Sequence, residues 1–325
     1  MSALKVQRSL SAGAALAALS SSPAAHAQFP DLFQASAQYL PGVPVQQPRP
    51  TEAQIASYEG ALNVPLVLGA HTFLIPGAAY HVDAVSYSKA PAAFIELRAF
   101  HSLEVPVLFV QVLPQDWSVS LRLAPGLAAD SLDTDLGSLH LSAVALATHS
   151  CSERLLLGAG ALASYSFGTL LPLPALYVEW TPIDHVRIES FVPAFFDARY
   201  TFWDRLELGV RADVAGNSYA VRDERIRKAW PCVPGPADDP ATPSDEARAD
   251  RAECFDHVAY SVGTAELVVG ARLFGSVWWT AMLGHSFFRR LEQRNADDRR
   301  VSAGLQSLPD TAFVRTSLNW RIPED

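Results

Sequence analysis

Apolar and polar side chains alternate with a period of two along much of this chain, most cleanly over residues 197–214 (DARYTFWDRLELGVRADV). Before Trp203 and Asp204, Ala198, Tyr200 and Phe202 share one face, opposite Asp197, Arg199 and Thr201. After them, Leu206, Leu208, Val210, Ala212 and Val214 share a face opposite Arg205, Glu207, Gly209, Arg211 and Asp213. Period two marks a strand, and two such runs with a short connection predict a hairpin. One face carries no charge and the other carries both signs. A strand of a membrane barrel divides its faces in this way, with apolar groups in lipid and polar groups in the lumen. A soluble β-sandwich also has a dry face and a wet one, so this hairpin alone leaves both architectures open.

Further stretches repeat the pattern. Residues 176–180 set Leu176, Val178 and Trp180 against Glu179, and 186–192 turn Arg187 and Glu189 inward. Residues 257–273 set Glu266 and Arg272 against Leu267, Val269 and Leu273, and 277–289 return from a short turn. Residues 311–322 alternate Ala312, Val314, Thr316, Leu318, Trp320 and Ile322 with Phe313, Arg315, Ser317, Asn319 and Arg321. Residues 117–123 read as one strand, while 51–112 read as several, blurred by Pro65 and Pro76. Residues 139–148 and 155–167 predict an antiparallel pair rich in small side chains. Gly158 and Gly160 argue there against a helix.

The connections add a rule of sides. Short ones fall at 181–185, 203–204 and 274–276, and long polar ones at 222–253 and 291–309. Counting back from the last strand, these short turns share one end and the long loops the other, as in outer-membrane barrels. The short connection at 193–195 departs from the rule. The expectation is all-β: a closed antiparallel transmembrane barrel of about ten to twelve strands, with short periplasmic turns and longer outer loops. Closure follows because an open sheet edge in lipid leaves backbone groups unpaired.

Composition agrees. Charged residues make up 18% of the chain and hydrophobic ones 49%, with a mean hydropathy of +0.11; soluble domains carry about 25% charged residues. The net charge of −9 comes without a basic cluster, which argues against a nucleic-acid partner. Residues 1–27 have the form of a secretory signal: Lys5 and Arg8, an apolar run from Leu10 to Leu19, then Ala25-His26-Ala27. The expected plan is a signal peptide at 1–27 and a barrel at 28–325 in the outer membrane of a Gram-negative bacterium, with 222–255 as a long extracellular loop. Its expected partners are outer-membrane lipid, the barrel assembly machinery and small solutes. Trp180, Trp203, Trp278, Trp279 and Trp320 lie near strand ends and are expected at the membrane interface.

The chain resembles a family of bacterial outer-membrane β-barrel proteins of unknown function. The resemblance lies mainly in residues 171–221, at Pro172, Pro193, Leu206, Leu208, Gly209, Gly216 and Tyr219. It implies location and architecture. Many such barrels end in an aromatic residue, whereas this chain ends Trp320-Arg321-Ile322-Pro323-Glu324-Asp325.

Candidate chemistry concentrates on the inward face. Glu179, Arg187, Glu189, Asp197, Arg199, Glu207, Arg211, Asp213, Glu266, Arg272, Arg315 and Arg321 are all expected in the lumen, where opposite charges on neighbouring strands pair. Interlocked, they plug a narrow barrel; spaced apart, they line a water-filled path. Cys232 and Cys254 flank the polar insertion and are candidates for a disulfide in an oxidising compartment, with Cys151 left over. A lipid-modifying enzyme is an alternative, with His140, His149 or His285 as bases. His149 and Ser150, and His285 and Ser286, are neighbours whose side chains point to opposite faces, and Gly-x-Ser-x-Gly is absent. An adhesion barrel using the 222–255 loop is another. Neither a cofactor nor a metal site is expected: no Cys-x-x-Cys, His-Glu-x-x-His or calcium-loop spacing occurs.

Overall fold

The computed structural model describes residues 30–45, 51–88, 99–131, 138–166, 169–223, 233–234, 252–253, 256–294 and 300–322. The first strands are β1 (Phe33–Val45), β2 (Thr51–Asn63), β3 (Leu66–Gly69), β4 (Thr72–Ser88), β5 (Ala99–Glu104), β6 (Val107–Val112) and β7 (Trp117–Ala129). Then come β8 (Leu139–Ser152), β9 (Leu155–Ser166), β10 (Thr169–Trp180), β11 (Val186–Val192), β12 (Phe195–Phe202) and β13 (Leu206–Ala220). The chain ends with β14 (Val233–Pro234), β15 (Ala252–Glu253), β16 (His257–Phe274), β17 (Val277–Arg294), β18 (Arg300–Ser307) and β19 (Thr311–Trp320).

All but β14 and β15 belong to one antiparallel sheet, which closes where β1 meets β19, from Phe33↔Trp320 to Tyr39↔Val314. Three wall positions hold two consecutive strands each: β2 with β3, β5 with β6, and β18 with β19. The seventeen strands therefore make a barrel of fourteen positions, rather than ten to twelve. The even parity holds. The extra strands lie where prolines break the alternation: Pro65 separates β2 from β3 and Pro106 separates β5 from β6. Across these breaks the backbone still pairs, through Val64 N–H to the Pro76 carbonyl (2.9 Å) and Gly77 N–H to the Pro106 carbonyl (2.7 Å).

Side-chain burial settles which face looks where. Leu208, Val210, Val314 and Leu318 are 52%, 47%, 52% and 37% exposed. A sandwich would bury those residues between two sheets. Their strand neighbours Glu207, Glu266, Phe313 and Ser317 are buried instead. The barrel is thus apolar outside and mixed polar and apolar inside, the division that transmembrane barrels show.

Both described chain ends lie at one rim. Six connections of two to five residues share that rim, at 70–71, 113–116, 153–154, 181–185, 203–205 and 275–276. At 203–205, Trp203 and Asp204 both take positive φ, 50° and 56°, and Arg205 N–H returns to the Phe202 carbonyl at 3.0 Å. This is the type I′ geometry that the right-handed twist of hairpin strands favours. The other wall strands are joined at the opposite rim, where β11 and β12 meet through only 193–194.

Candidate functional site

The inward residues of β12, β13, β16 and β19 form one continuous chain of opposite charges. Arg321 clamps Glu207 with two bonds, at 2.6 and 2.9 Å. Glu207 also accepts from Arg199 at 3.0 Å, and Arg199 grips Asp197 with two more, at 2.7 and 2.8 Å. Asp197 lies 3.6 Å from Arg211, which pairs with Asp213 at 2.7 Å. Arg315 then bridges Asp213 (3.6 Å) and Glu266 (3.1 Å). Four guanidiniums alternate with four carboxylates, so the chain has no net charge. Side-chain exposure runs from 0% at Glu266 and 7% at Glu207 to 29% at Arg211, so these groups pack against one another.

Small residues on the wall make room for this chain. Arg315 reaches past β17, where Gly284 stands between Glu266 and Phe313; a Cβ there would meet a Phe313 ring carbon at 2.4 Å. A Cβ at Gly209 would come within 2.9 Å of the Arg199 side chain. Neutral groups complete the bonding. Gln38 on β1 accepts from Arg315 Nε (2.9 Å), and the Thr264 hydroxyl donates to Asp213 (3.3 Å) and Glu266 (3.2 Å).

A second, smaller group lies under β10 and β11. Arg187 pairs with Glu179 (3.1 Å) and Glu189 (3.4 Å), and the Tyr177 hydroxyl donates to the same two carboxylates. Eleven of the twelve predicted lumen charges therefore fall into these two groups. The twelfth, Arg272, needs correcting. It keeps the inward parity but sits at the last turn before 275–276, where its Nε donates to the Gly275 carbonyl at the rim.

Toward the loop end the fill becomes apolar, and here the structure goes beyond what periodicity shows. β7 and β13 are far apart around the wall, yet Ala129 and Ala220 pair in parallel across the lumen. Asp130 N–H donates to the Ala220 carbonyl (2.9 Å), and its carboxylate accepts the Arg222 and Asp223 N–H groups (2.8 and 3.1 Å). Beneath this crossing Phe100, Ala128, Tyr219, Val221 and Val258 are buried together, with Phe100 and Tyr219 stacked at 5.0 Å. The Tyr219 hydroxyl donates to Asp83 (3.0 Å), which also takes Ser57 (2.5 Å) and lies 3.2 Å from His81. Leu40, Ile55, Leu308 and Phe313 form a second apolar cluster alongside. The local signals were the Gly216-x-x-Tyr219 ending and His81-x-Asp83; the crossing itself has none.

The other candidate residues separate. His140 faces inward and bonds Glu104 (3.1 Å), while Ser142 accepts from Arg122 (3.4 Å). His149 stacks on Trp117 at 4.8 Å, and the Ser286 hydroxyl donates to the Thr311 carbonyl (3.0 Å). No hydrogen bond among the described residues joins His140 to Ser142, His149 to Ser150 or His285 to Ser286. Among the described residues, no three His, Cys, Asp or Glu side chains gather as a metal site.

Trp180, Trp203, Trp279 and Trp320 are exposed near the rim of the chain ends, at 45%, 81%, 42% and 51%. Trp278 is a correction. Successive strand residues point to opposite faces, so Trp278 and Trp279 cannot both meet lipid. Trp278 is 8% exposed inside, under the Arg321 guanidinium at 4.4 Å. Trp117, exposed at the same rim, joins the outer ring instead. Cys151 is free and exposed. Residues 1–27, Cys232 and Cys254 lie outside the described residues.

Residues 80–231 match a family described as a domain of unknown function (DUF6268), and this stretch contains the block 171–221 on which the barrel resemblance rests. No curated protein matches the chain. Among solved structures, a deltaS2 mutant of the TodX monoaromatic hydrocarbon channel has a TM-score of 0.45 at 10% identity, over 94% of each chain. LpxR from Salmonella typhimurium has a TM-score of 0.33 at 7% identity, over 89% of this chain and 99% of that one. The translocator domain of the autotransporter NalP from Neisseria meningitidis has a TM-score of 0.32 at 9% identity, over 98% and 97%.

Proposed function

We propose that the protein is an outer-membrane barrel whose resting lumen is held shut by its own side chains. Its role is structural, or the passage of small solutes when the interlock yields. The observation that carries this reading is the unbroken chain of charges from Arg321 to Glu266. With equal numbers of each sign, that chain favours neither cations nor anions. The apolar outer band makes outer-membrane lipid the standing partner, and the barrel assembly machinery the route of insertion. The separation of the Ser and His candidates counts against a hydrolase.

Two barriers act in series in this reading: the ionic chain toward the terminal rim and the Phe100–Tyr219 layer toward the loops. Planar-bilayer recording tests it. The wild type is expected to stay near baseline, Glu207→Ala or Tyr219→Ala alone to raise conductance little, and the double variant to show frequent openings. A large steady conductance from the wild type contradicts the reading.

The 222–255 segment belongs to the loop end. Its described strands β14 and β15 pair Val233 with Glu253 and Pro234 with Ala252. Cys232 and Cys254 adjoin that ladder in sequence, and we propose that they are joined. Alkylation of the denatured protein before reduction is expected to mark one thiol, Cys151, and after reduction three. Three marked thiols without reduction would rule the bridge out.

A further inference from the structure

The wall is interrupted above one hairpin. β11 has seven residues and β12 eight, whereas their outer neighbours β10 and β13 have twelve and fifteen. Pairing of β10 with β11 stops at Leu176↔Val192, and pairing of β12 with β13 stops at Phe195↔Asp213. Beyond those pairs, among the described residues, 169–175 are laddered only to β9 and 214–219 only to β16. At about 3.3 Å per residue and a tilt of about 40°, the seven residues of β11 rise roughly 18 Å. The apolar band of such a barrel is about 25 Å tall, so the gap opens at bilayer depth. Lipid-facing Leu176, Val192, Phe196 and Val214 surround it, all exposed.

An unpaired backbone group in hydrocarbon costs several kcal/mol, and the lips of the gap carry few free N–H donors, although the carbonyls of their even-numbered residues and Gly216 N–H still face the opening. In β10, Thr181 N–H donates toward β9, to the Arg154 carbonyl (2.9 Å). Even-numbered residues of β10 therefore turn their backbone nitrogens the other way. In the lip, two of those positions are Pro172 and Pro174, which have no N–H. In β13, Val214 N–H donates to the Ala194 carbonyl at 2.8 Å, so even-numbered positions again face the gap. Ser218 N–H is taken by Asn217 Oδ1 (2.9 Å), and Ala220 pairs with Ala129. The hairpin tip carries Pro193, a third residue without a donor. Alternate prolines obstruct a strand that must be covered by a neighbour on that side. They suit an edge that stays free.

The inward face behind the gap is mostly apolar, with Ser164 opposite Leu171 and Asn217 on the β13 lip as polar members. It presents Leu162, Leu171, Leu173, Phe191 and Phe195, with Leu171 54% exposed and the two phenyl rings 6.3 Å apart. Charge begins level with Phe195, whose cross-strand partner is Asp213; the Arg211 guanidinium lies 5.4 Å over the Phe195 ring and is already bonded to Asp213.

We propose that this gap is a lateral port through which the acyl chain of a bilayer lipid enters the lobe walled by β8 to β12. The neighbouring medium at that depth is lipid hydrocarbon, and the surfaces on both sides of the opening match it. The port rests on the bilayer reading above, and one experiment separates the two. The folded protein, checked by heat-modifiable mobility, is placed in vesicles of phosphatidylcholine bearing a diazirine at mid-chain. After irradiation, adducts are mapped by mass spectrometry. Outward residues such as Leu176 and Val214 report contact with the bilayer; inward Leu171, Leu173, Phe191 and Phe195 report entry. Adducts on both sets are expected, and Ala215→Phe on the β13 lip is expected to cut the inward set several-fold while leaving the outward set unchanged. Outward adducts without inward ones overturn the port and leave the bilayer reading standing. Inward adducts indifferent to Ala215→Phe overturn it too, because the chain would then enter elsewhere. Absence of both sets removes the bilayer reading and the port with it.

Discussion

Glu207→Ala is expected to lower the unfolding free energy of the barrel by about 3–5 kcal/mol, the usual cost of removing one partner from a buried ion pair. Glu207 is shared. Arg321 holds it with two bonds and Arg199 with one. Without it Arg199 still has Asp197, but Arg321 loses its only ion-pair partner among the described residues and stays over the Trp278 ring. The cost is therefore that of a stranded guanidinium more than of a lost attraction. Glu207→Gln keeps the shape and an acceptor oxygen, so a smaller loss is expected. Arg272→Ala serves as the comparison: among the described residues its side chain bonds only the Gly275 carbonyl at the rim, and a change within about 0.5 kcal/mol is expected. Urea unfolding in vesicles, followed by tryptophan fluorescence, measures all three. Equal midpoints for Glu207→Ala and the wild type would mean that the charges are solvated individually rather than interlocked.

Val210→Arg is the second large effect. Val210 lies on the outer face of β13 four residues above Leu206, about 10 Å up a band about 25 Å tall, and is 47% exposed. Arginine on the lipid face costs about 2–4 kcal/mol at the midplane and about 0–1 near the interfaces. Leu206→Arg, at the strand end beside the 203–205 turn, is therefore expected to be nearly silent. In water both positions would be ordinary exposed sites, each within about 0.5 kcal/mol of the wild type. The difference between the two variants is the quantity to read, because it cancels effects of arginine on the strand itself. Equal losses at both depths would count against a bilayer around the band.

Much of the barrel was legible because half of each wall strand faces one medium and half another. In β12, β19 and the first half of β13 that contrast is strongest, and the inward charges follow from parity alone. Where the contrast fails, so does the reading. In the first five wall positions, Pro65, Pro76 and Pro106 break the alternation, and strands were under-counted. Trp278 and Arg272 show a different limit. Near a rim, parity assigns a face but not a depth: it points Arg272 inward, while its side chain stays at the rim on the Gly275 carbonyl. The pair Trp278-Trp279 was read as one interfacial unit although strand geometry must split it.

The crossing of Ala129 with Ala220 lies at a third level. It joins residues 91 positions apart, and small side chains at both ends leave no local trace of it. The gap above β11 and β12 is the converse case. Pro172, Pro174 and Pro193 announce an edge in the sequence, but only the missing ladders show that two edges face each other.

The central claim is that even-numbered residues of β13 face hydrocarbon and odd-numbered ones a packed lumen. Single spin labels at each position from 206 to 214, in a background with the three cysteines replaced, test it in lipid vesicles. Collision with oxygen, which dissolves in hydrocarbon, and with a water-soluble nickel chelate is measured at every site. The account predicts high oxygen and low nickel contact at 206, 208, 210, 212 and 214, and low contact with both at the positions between. High nickel contact at 208 and 210 would place that face in water and contradict the account.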